Sequence, residues 1–293
     1  VEFSCGTDIS AGTVTVGREV LTYNGTEQYP TISVKIAGKT VQLKKGDANA
    51  PFMPMLSRDA SQDVPDNFEG IYAGTVTVQA VGNPKNGYYG TTTASATYTI
   101  KPLDITETKT RYEIDFSNDT DKDSIDVDRF AHYKFTNKKI TPKEEVKKTS
   151  TNTAASVAQI LVRDQDYEVS YSDDCIDRGS HWVTVTGIGN FAGEIGTKFF
   201  IDAMGIDSKD ITADFTTGST YADGVPEMTL TLNGNVNLKD AAKYDENADY
   251  QVNVTRTKSA GSTWNDTYVY TITGLGNFSG TTREERVTVA QTT

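Results

Sequence analysis

One seven-residue phrase occurs three times in the chain, as TVQAVGN at 77–83, TVTGIGN at 184–190 and TITGLGN at 271–277. The second and third copies run straight into Phe191-Ala192-Gly193 and Phe278-Ser279-Gly280, whereas the first reaches Tyr88-Tyr89-Gly90 after the insertion Pro84-Lys85-Asn86-Gly87. The Gly-Asn landmarks lie 107 and 87 residues apart. That is the spacing of whole domains and too long for a solenoid. A second phrase precedes the later copies, Asp166-Tyr167-Glu168-Val169 and Asp249-Tyr250-Gln251-Val252. The chain therefore reads as three diverged copies of one module at 1–101, 102–202 and 203–293. The borders fall where a closing strand ends and an Asp-Ile pair, Asp104-Ile105 or Asp210-Ile211, begins.

The phrase opens in a strand and ends in a turn. In Tyr268-Val269-Tyr270-Thr271-Ile272-Thr273 and in Trp182-Val183-Thr184-Val185-Thr186, aromatic and β-branched residues alternate with a period of two, as a half-buried strand requires. Gly189 and Gly276 can then take positive φ, and Asn190 and Asn277 suit the same turn. A strand follows each turn, predicting a closing hairpin. Phe191 and Phe278 occupy one position of the repeat and Ile188 and Leu275 another, so each pair is expected to fill the same hollow at the end of its module. Earlier in a module, an Asn-Gly or Asp-Gly turn precedes a proline and an alternating strand, as in Asn24-Gly25 with Tyr29-Pro30 and in Asp223-Gly224 with Pro226. Short strands with such turns predict an all-β chain of three immunoglobulin-like β-sandwiches, arranged in an elongated series.

Two stretches depart from that pattern. Thr141-Pro142-Lys143-Glu144 has the form of a capping box with proline at the first helical position, predicting a helix of about two turns in the second module. The segment 48–66 has no readable period, and its Phe52, Met53, Met55 and Leu56 are expected to cover a module edge or junction.

The phrases Tyr23-Asn24-Gly25-Thr26, Asp166 through Tyr171, and Thr186-Gly187-Ile188-Gly189-Asn190-Phe191-Ala192-Gly193 resemble those of bacterial immunoglobulin-like repeats, which occur in tandem in large surface and secreted proteins of gut Firmicutes. The resemblance covers about two thirds of the chain and is strongest at the closing hairpins. It implies a stalk or spacer that displays adhesive or enzymatic modules, at an extracellular or cell-wall location, and brings no catalytic residues with it. A glycan- or host-ligand-binding adhesin module is the alternative it leaves open.

Charge and composition narrow the function further. A net charge of -12 opposes binding to nucleic acid, which clustered Lys and Arg would favour. No run of 18 apolar residues occurs, so no helical membrane span is expected. The start at Val1 suits a fragment of something longer, and the chain is expected to be monomeric. His132 and His181 lack a partner at ligand spacing in the sequence, and the acidic neighbours of Cys175 disfavour a thiolate. No enzyme is therefore expected. Trp182 and Trp264 stand before the repeated strand in matching modules, which points to packing more than to a sugar platform. Asp119, Asp121 and Asp123, with Asp126 and Asp128, alternate in a way that would suit calcium. The stretch is no EF-hand, because Ser124 stands where its glycine belongs and Phe130 where its glutamate belongs. A solvated acidic loop is the competing expectation.

Overall fold

The computed structural model describes residues 6–43, 49–58, 70–107, 111–149, 158–216, 225–244, 246–258 and 265–290. Cys5, Trp264 and the turn at 220–224 lie outside them. Apart from two short 3-10 turns, the regular structure among the described residues is β-strand. The chain forms two compact units. One comprises Val1–Asp115, Glu144–Ser170 and Thr184–Gly196, the other Phe116–Lys143, Tyr171–Val183 and Thr197–Thr293. Their division falls within 102–202 and does not follow the sequence borders.

In the first unit the antiparallel strands Thr13–Val16, Ile32–Ile36 and Lys39–Gln42 form one sheet, with the middle strand at its centre. A second sheet runs in the order Leu21–Thr22, Ala96–Lys101, Gly74–Gly82 and Phe52–Ser57. Val14, Ile32 and Val34 from the first meet Phe52, Val78 and Ala80 from the second, and Ile9 joins the same core. Alternation dictates this arrangement: along Gly74–Gly82, Val76, Val78 and Ala80 are fully buried, while Thr75 is exposed and Thr77, Gln79 and Val81 are half-buried. Each such Val or Ile contributes about 1.5–3 kcal/mol of burial. The same unit holds the sheet Tyr112–Asp115, Glu145–Lys148, Ile160–Leu161. Its Tyr112, Val146 and Leu161 pack with Leu103, Ile105, Tyr167, Val185 and Phe191.

The second unit pairs Ile211–Thr216 with Glu227–Leu232 and Val236–Asn237 in one antiparallel sheet, and Tyr250–Lys258 with Asn265–Gly274 and Thr282–Ala290 in another. Their buried side chains include Met228, Leu230, Leu232, Tyr250, Tyr268, Tyr270 and Ile272. The Tyr270 hydroxyl is buried yet satisfied, donating to the Pro226 carbonyl at 2.5 Å. Ala131–Lys134 runs parallel to Phe199 through Asp202 and antiparallel to Ser124–Ile125.

Two expectations are corrected here. The helix beginning at Thr141 does not form, and Glu145–Lys148 is a strand paired on both sides. Two helical turns are a marginal structure in isolation. The ladder satisfies the backbone, Val146 is fully buried, and the Lys143 N–H bonds Asp119 Oδ2 at 2.8 Å. The segment around Phe52 is an edge strand, Phe52–Ser57, rather than a cover for a junction. Phe52 is fully buried in the core while Met53 and Met55 are exposed. Pro54, which cannot donate to a ladder, is tolerated at such an edge. The Asn24-Gly25 turn is an Asx turn, with Asn24 Oδ1 accepting from the Thr26 N–H at 2.9 Å. It carries the chain from a strand of one sheet towards a strand of the other.

Candidate functional site at two matching junctions

The Asn of the repeated phrase does more than turn the chain. Asn190 Oδ1 accepts a hydrogen bond from the Ala73 N–H at 2.8 Å, and Asn277 Oδ1 accepts from the Arg178 N–H at 2.7 Å. Ala73 and Arg178 occupy the same place, immediately before the strands Gly74–Gly82 and Gly179–Gly187. The backbone carbonyls of the same two asparagines accept from Leu103 N–H at 2.8 Å and Met204 N–H at 2.9 Å. Phe191 then meets the edge of Tyr23, with centroids 5.6 Å apart, and Phe278 meets Phe135 at 5.4 Å. Tyr23 and Phe135 are also equivalent: their N–H groups bond the carbonyls of Lys101 and Asp202 at 2.8 and 2.9 Å. The first junction lies wholly within one compact unit and the second wholly within the other.

The glycines of the phrase make this contact possible. Gly189 and Gly276 have φ of 62° and 50°, a region that glycine enters at no steric cost. Phe191 and Phe278 are each 3% exposed, while Ile188 and Leu275 are half-buried. The second junction carries additional bonds. Asn277 Nδ2 donates to Asp177 Oδ1 at 2.8 Å, and the Arg178 guanidinium donates to the Gly276 carbonyl at 3.1 Å and to Ser279 Oγ.

The first copy of the phrase is shifted by two residues relative to its letters. A Cβ on Gly82 would lie 2.7 Å from the Tyr89 backbone, one on Gly187 2.8 Å from Ala192 N, and one on Gly274 would overlap the Phe278 carbonyl. Those three glycines are therefore equivalent, and Asn83 stands with Ile188 and Leu275. The N–H groups of Asn83, Ile188 and Leu275 bond the carbonyls of Pro51, Asp166 and Asp249 at 2.9, 2.9 and 2.8 Å. Gly87 takes the place of Asn190, its carbonyl accepting from Thr7 N–H at 2.7 Å. Pro51-Phe52 likewise takes the place of the Asp-Tyr phrase. Asn83 itself caps the 3-10 turn Pro84–Asn86, accepting from Lys85 N–H at 3.2 Å.

The carboxylates of the acidic stretch are bonded within the chain. Asp119 is 1% exposed and accepts from the Tyr133 hydroxyl at 2.7 Å, Lys143 N–H at 2.8 Å and Asp121 N–H at 2.9 Å. Burial pushes its carboxyl up, but these bonds outweigh burial and hold it below the usual range. Asp121 pairs with Lys143 Nζ at 2.7 Å and Asp123 with Lys134 Nζ at 3.0 Å. Asp126 accepts from Phe130 N–H at 2.8 Å and faces His132 Nε2 at 3.4 Å. Asp128 is exposed. Of the five carboxylates considered for calcium, Asp119, Asp121, Asp123 and Asp126 thus each meet a donor of the protein itself. A groove of about 330 Å³ beside this stretch is lined by Asp121, Asp123, Lys134, Lys139 and Tyr133 among others.

Both histidines have partners that the sequence reading missed. His132 stacks on Phe200 with centroids 5.0 Å apart, and its Nδ1 lies 2.9 Å from Asp202 Oδ2. Desolvation lowers its pKa, yet the carboxylates of Asp202 and Asp126 win and raise it. His181 is buried beside Cys175 and Asp173. Burial and the neighbouring Asp173 push the Cys175 thiol up to about 11, as its acidic surroundings imply. Trp182 is corrected too. It follows buried His181 on a strand, so it faces outward at 47% exposure, with Lys198 Nζ 5.3 Å from its ring centroid.

No family model matches the chain, and no curated protein matches it. Among solved structures, the chain is matched to a protocadherin gammaB7 EC3-6 cis-dimer structure, at 9% identity and a TM-score of 0.28, covering 96% of this chain and 77% of that one. No helix among the described residues is long and apolar enough to cross a membrane.

Proposed function

We propose that this chain is a non-catalytic spacer from a bacterial cell-surface or secreted protein, built of three β-sandwich repeats at 1–101, 102–202 and 203–293 in an elongated series. The observation that carries the proposal is the junction built twice from the same parts. A spacer must hold each repeat against the next, and Asn190-Phe191 and Asn277-Phe278 each make such a hold. Each Asn supplies two acceptors, at about 1 kcal/mol per hydrogen bond, and each Phe adds an edge-to-face contact of about 0.5–1.5 kcal/mol beyond its burial. The side-chain acceptor reaches the preceding strand and the backbone acceptor reaches the linker, so a bend at either place strains a bond. The repeated residues shape structure and contain no shared reactive group. Display of adhesive or enzymatic modules away from a cell wall follows from such a build.

Small-angle scattering on the whole chain tests the spacer reading. An elongated particle is expected, with a longest dimension of order 100–120 Å if three domains follow one another and a radius of gyration well above the value near 20 Å for one globule of this length. A compact globular profile refutes an elongated spacer.

A further inference from the structure

We propose that Asp173, Cys175 and His181 form a binding site for a zinc ion, placed directly behind the second junction. Asp173 Oδ1, Cys175 Sγ and His181 Nδ1 lie within 4.8 Å of one another, although the three residues come from a turn and from the following strand. The orientation of His181 carries the argument. Its Nε2 is 2.8 Å from the Asp177 carbonyl, which can only accept, so Nε2 holds the proton. Nδ1 then faces Asp173 Oδ1 at 2.8 Å. In the metal-free chain a proton bridges that contact, and a zinc ion would take its place between the two ligand atoms. A histidine whose second nitrogen is anchored to a backbone carbonyl is the arrangement in which imidazole ligates metal.

The third ligand selects the cation. Cys175 is fully buried, has a φ of 55° that few residues other than glycine adopt, and holds its sulfur 3.5 Å from the Asp173 carbonyl. A thiolate, an imidazole and a carboxylate together suit zinc and not calcium or magnesium. Asp173 has a side chain 47% exposed, so it opens the site to solvent, from which a water can complete four-coordination. Binding forms a zinc–sulfur bond and releases the thiol proton to solvent. Phe199 stacks on the imidazole, with centroids 5.4 Å apart, and fixes its plane. Asp177 holds both His181 and Asn277, so metal at this site would brace the junction.

Cobalt(II) chloride titrated into the chelator-treated 293-residue chain reads the site directly. One equivalent is expected to produce a thiolate-to-cobalt charge-transfer band and the visible bands of a tetrahedral centre, both displaced by zinc. Cys175→Ser should abolish the charge-transfer band, Cys5→Ser should retain it, and Asp173→Asn should weaken zinc binding at least about tenfold. Zinc should also raise the unfolding midpoint of the wild type and leave that of Cys175→Ser unchanged, a comparison that holds even if the variant is less stable. No band in the wild type, or a band that persists in Cys175→Ser and vanishes in Cys5→Ser, overturns the proposal. The first of these results leaves the cluster as an imidazolium–carboxylate pair.

Discussion

Replacing Phe278 by alanine lowers the free energy of unfolding by about 3–5 kcal/mol, read by denaturant titration of the whole chain. The ring is 3% exposed and packs edge-on against Phe135, so truncation removes buried apolar area and leaves a cavity that the surrounding strands cannot fill. Alanine at Phe191 should cost a similar amount, since that ring touches both Tyr23 and Tyr112. Tyr89 supplies the control, because it is 48% exposed; its truncation should cost below about 1 kcal/mol. A loss at Phe278 no larger than at Tyr89 would show that the aromatic of the phrase does not anchor a core.

Asp119→Ala is the second large effect, at about 3 kcal/mol, because one carboxylate satisfies three donors that would be left without it. The pH dependence follows from the same bonds. The folded pKa of Asp119 is depressed, so its contribution is fully present above the unfolded value, near 3.9. It is lost as pH falls through the lower folded value. In acid titrations followed by unfolding midpoint, the wild type should therefore converge on Asp119→Ala below about pH 4. A stability gap that stays constant from neutral pH into that range would mean the carboxylate charge plays no part.

What the sequence revealed was whatever its own neighbours determine. The alternation in Tyr268 through Thr273 appears in the strand Asn265–Gly274, with Tyr268, Tyr270 and Ile272 buried, because period two is a local property of extended chain. The helix expected at Thr141 failed because its outcome depends on partners elsewhere. Asp119 takes the Lys143 N–H, and two strands take the backbone of Glu145–Lys148. The letters of TVQAVGN misled by two residues for a related reason. Which glycine matters is decided by the Tyr89 backbone packed against Gly82, and an insertion separates the two. The junction was visible only as a repeated phrase, since Ala73 lies 117 residues from Asn190. The grouping of Asp173, Cys175 and His181 was nearer to legible. The inward alternation of His181, Val183 and Val185 places the imidazole on the core side, towards Cys175.

Amide hydrogen exchange at Ala73 and Arg178 tests the junction most directly, because these are the two N–H groups that Asn190 and Asn277 hold. Both amides should be protected in the wild-type chain. Asn190→Ala should release Ala73 alone and Asn277→Ala should release Arg178 alone, with the protection of Val78 and Tyr270 in the strand cores unchanged. A wild-type chain in which Ala73 and Arg178 already exchange at the rate of free peptide would contradict the account.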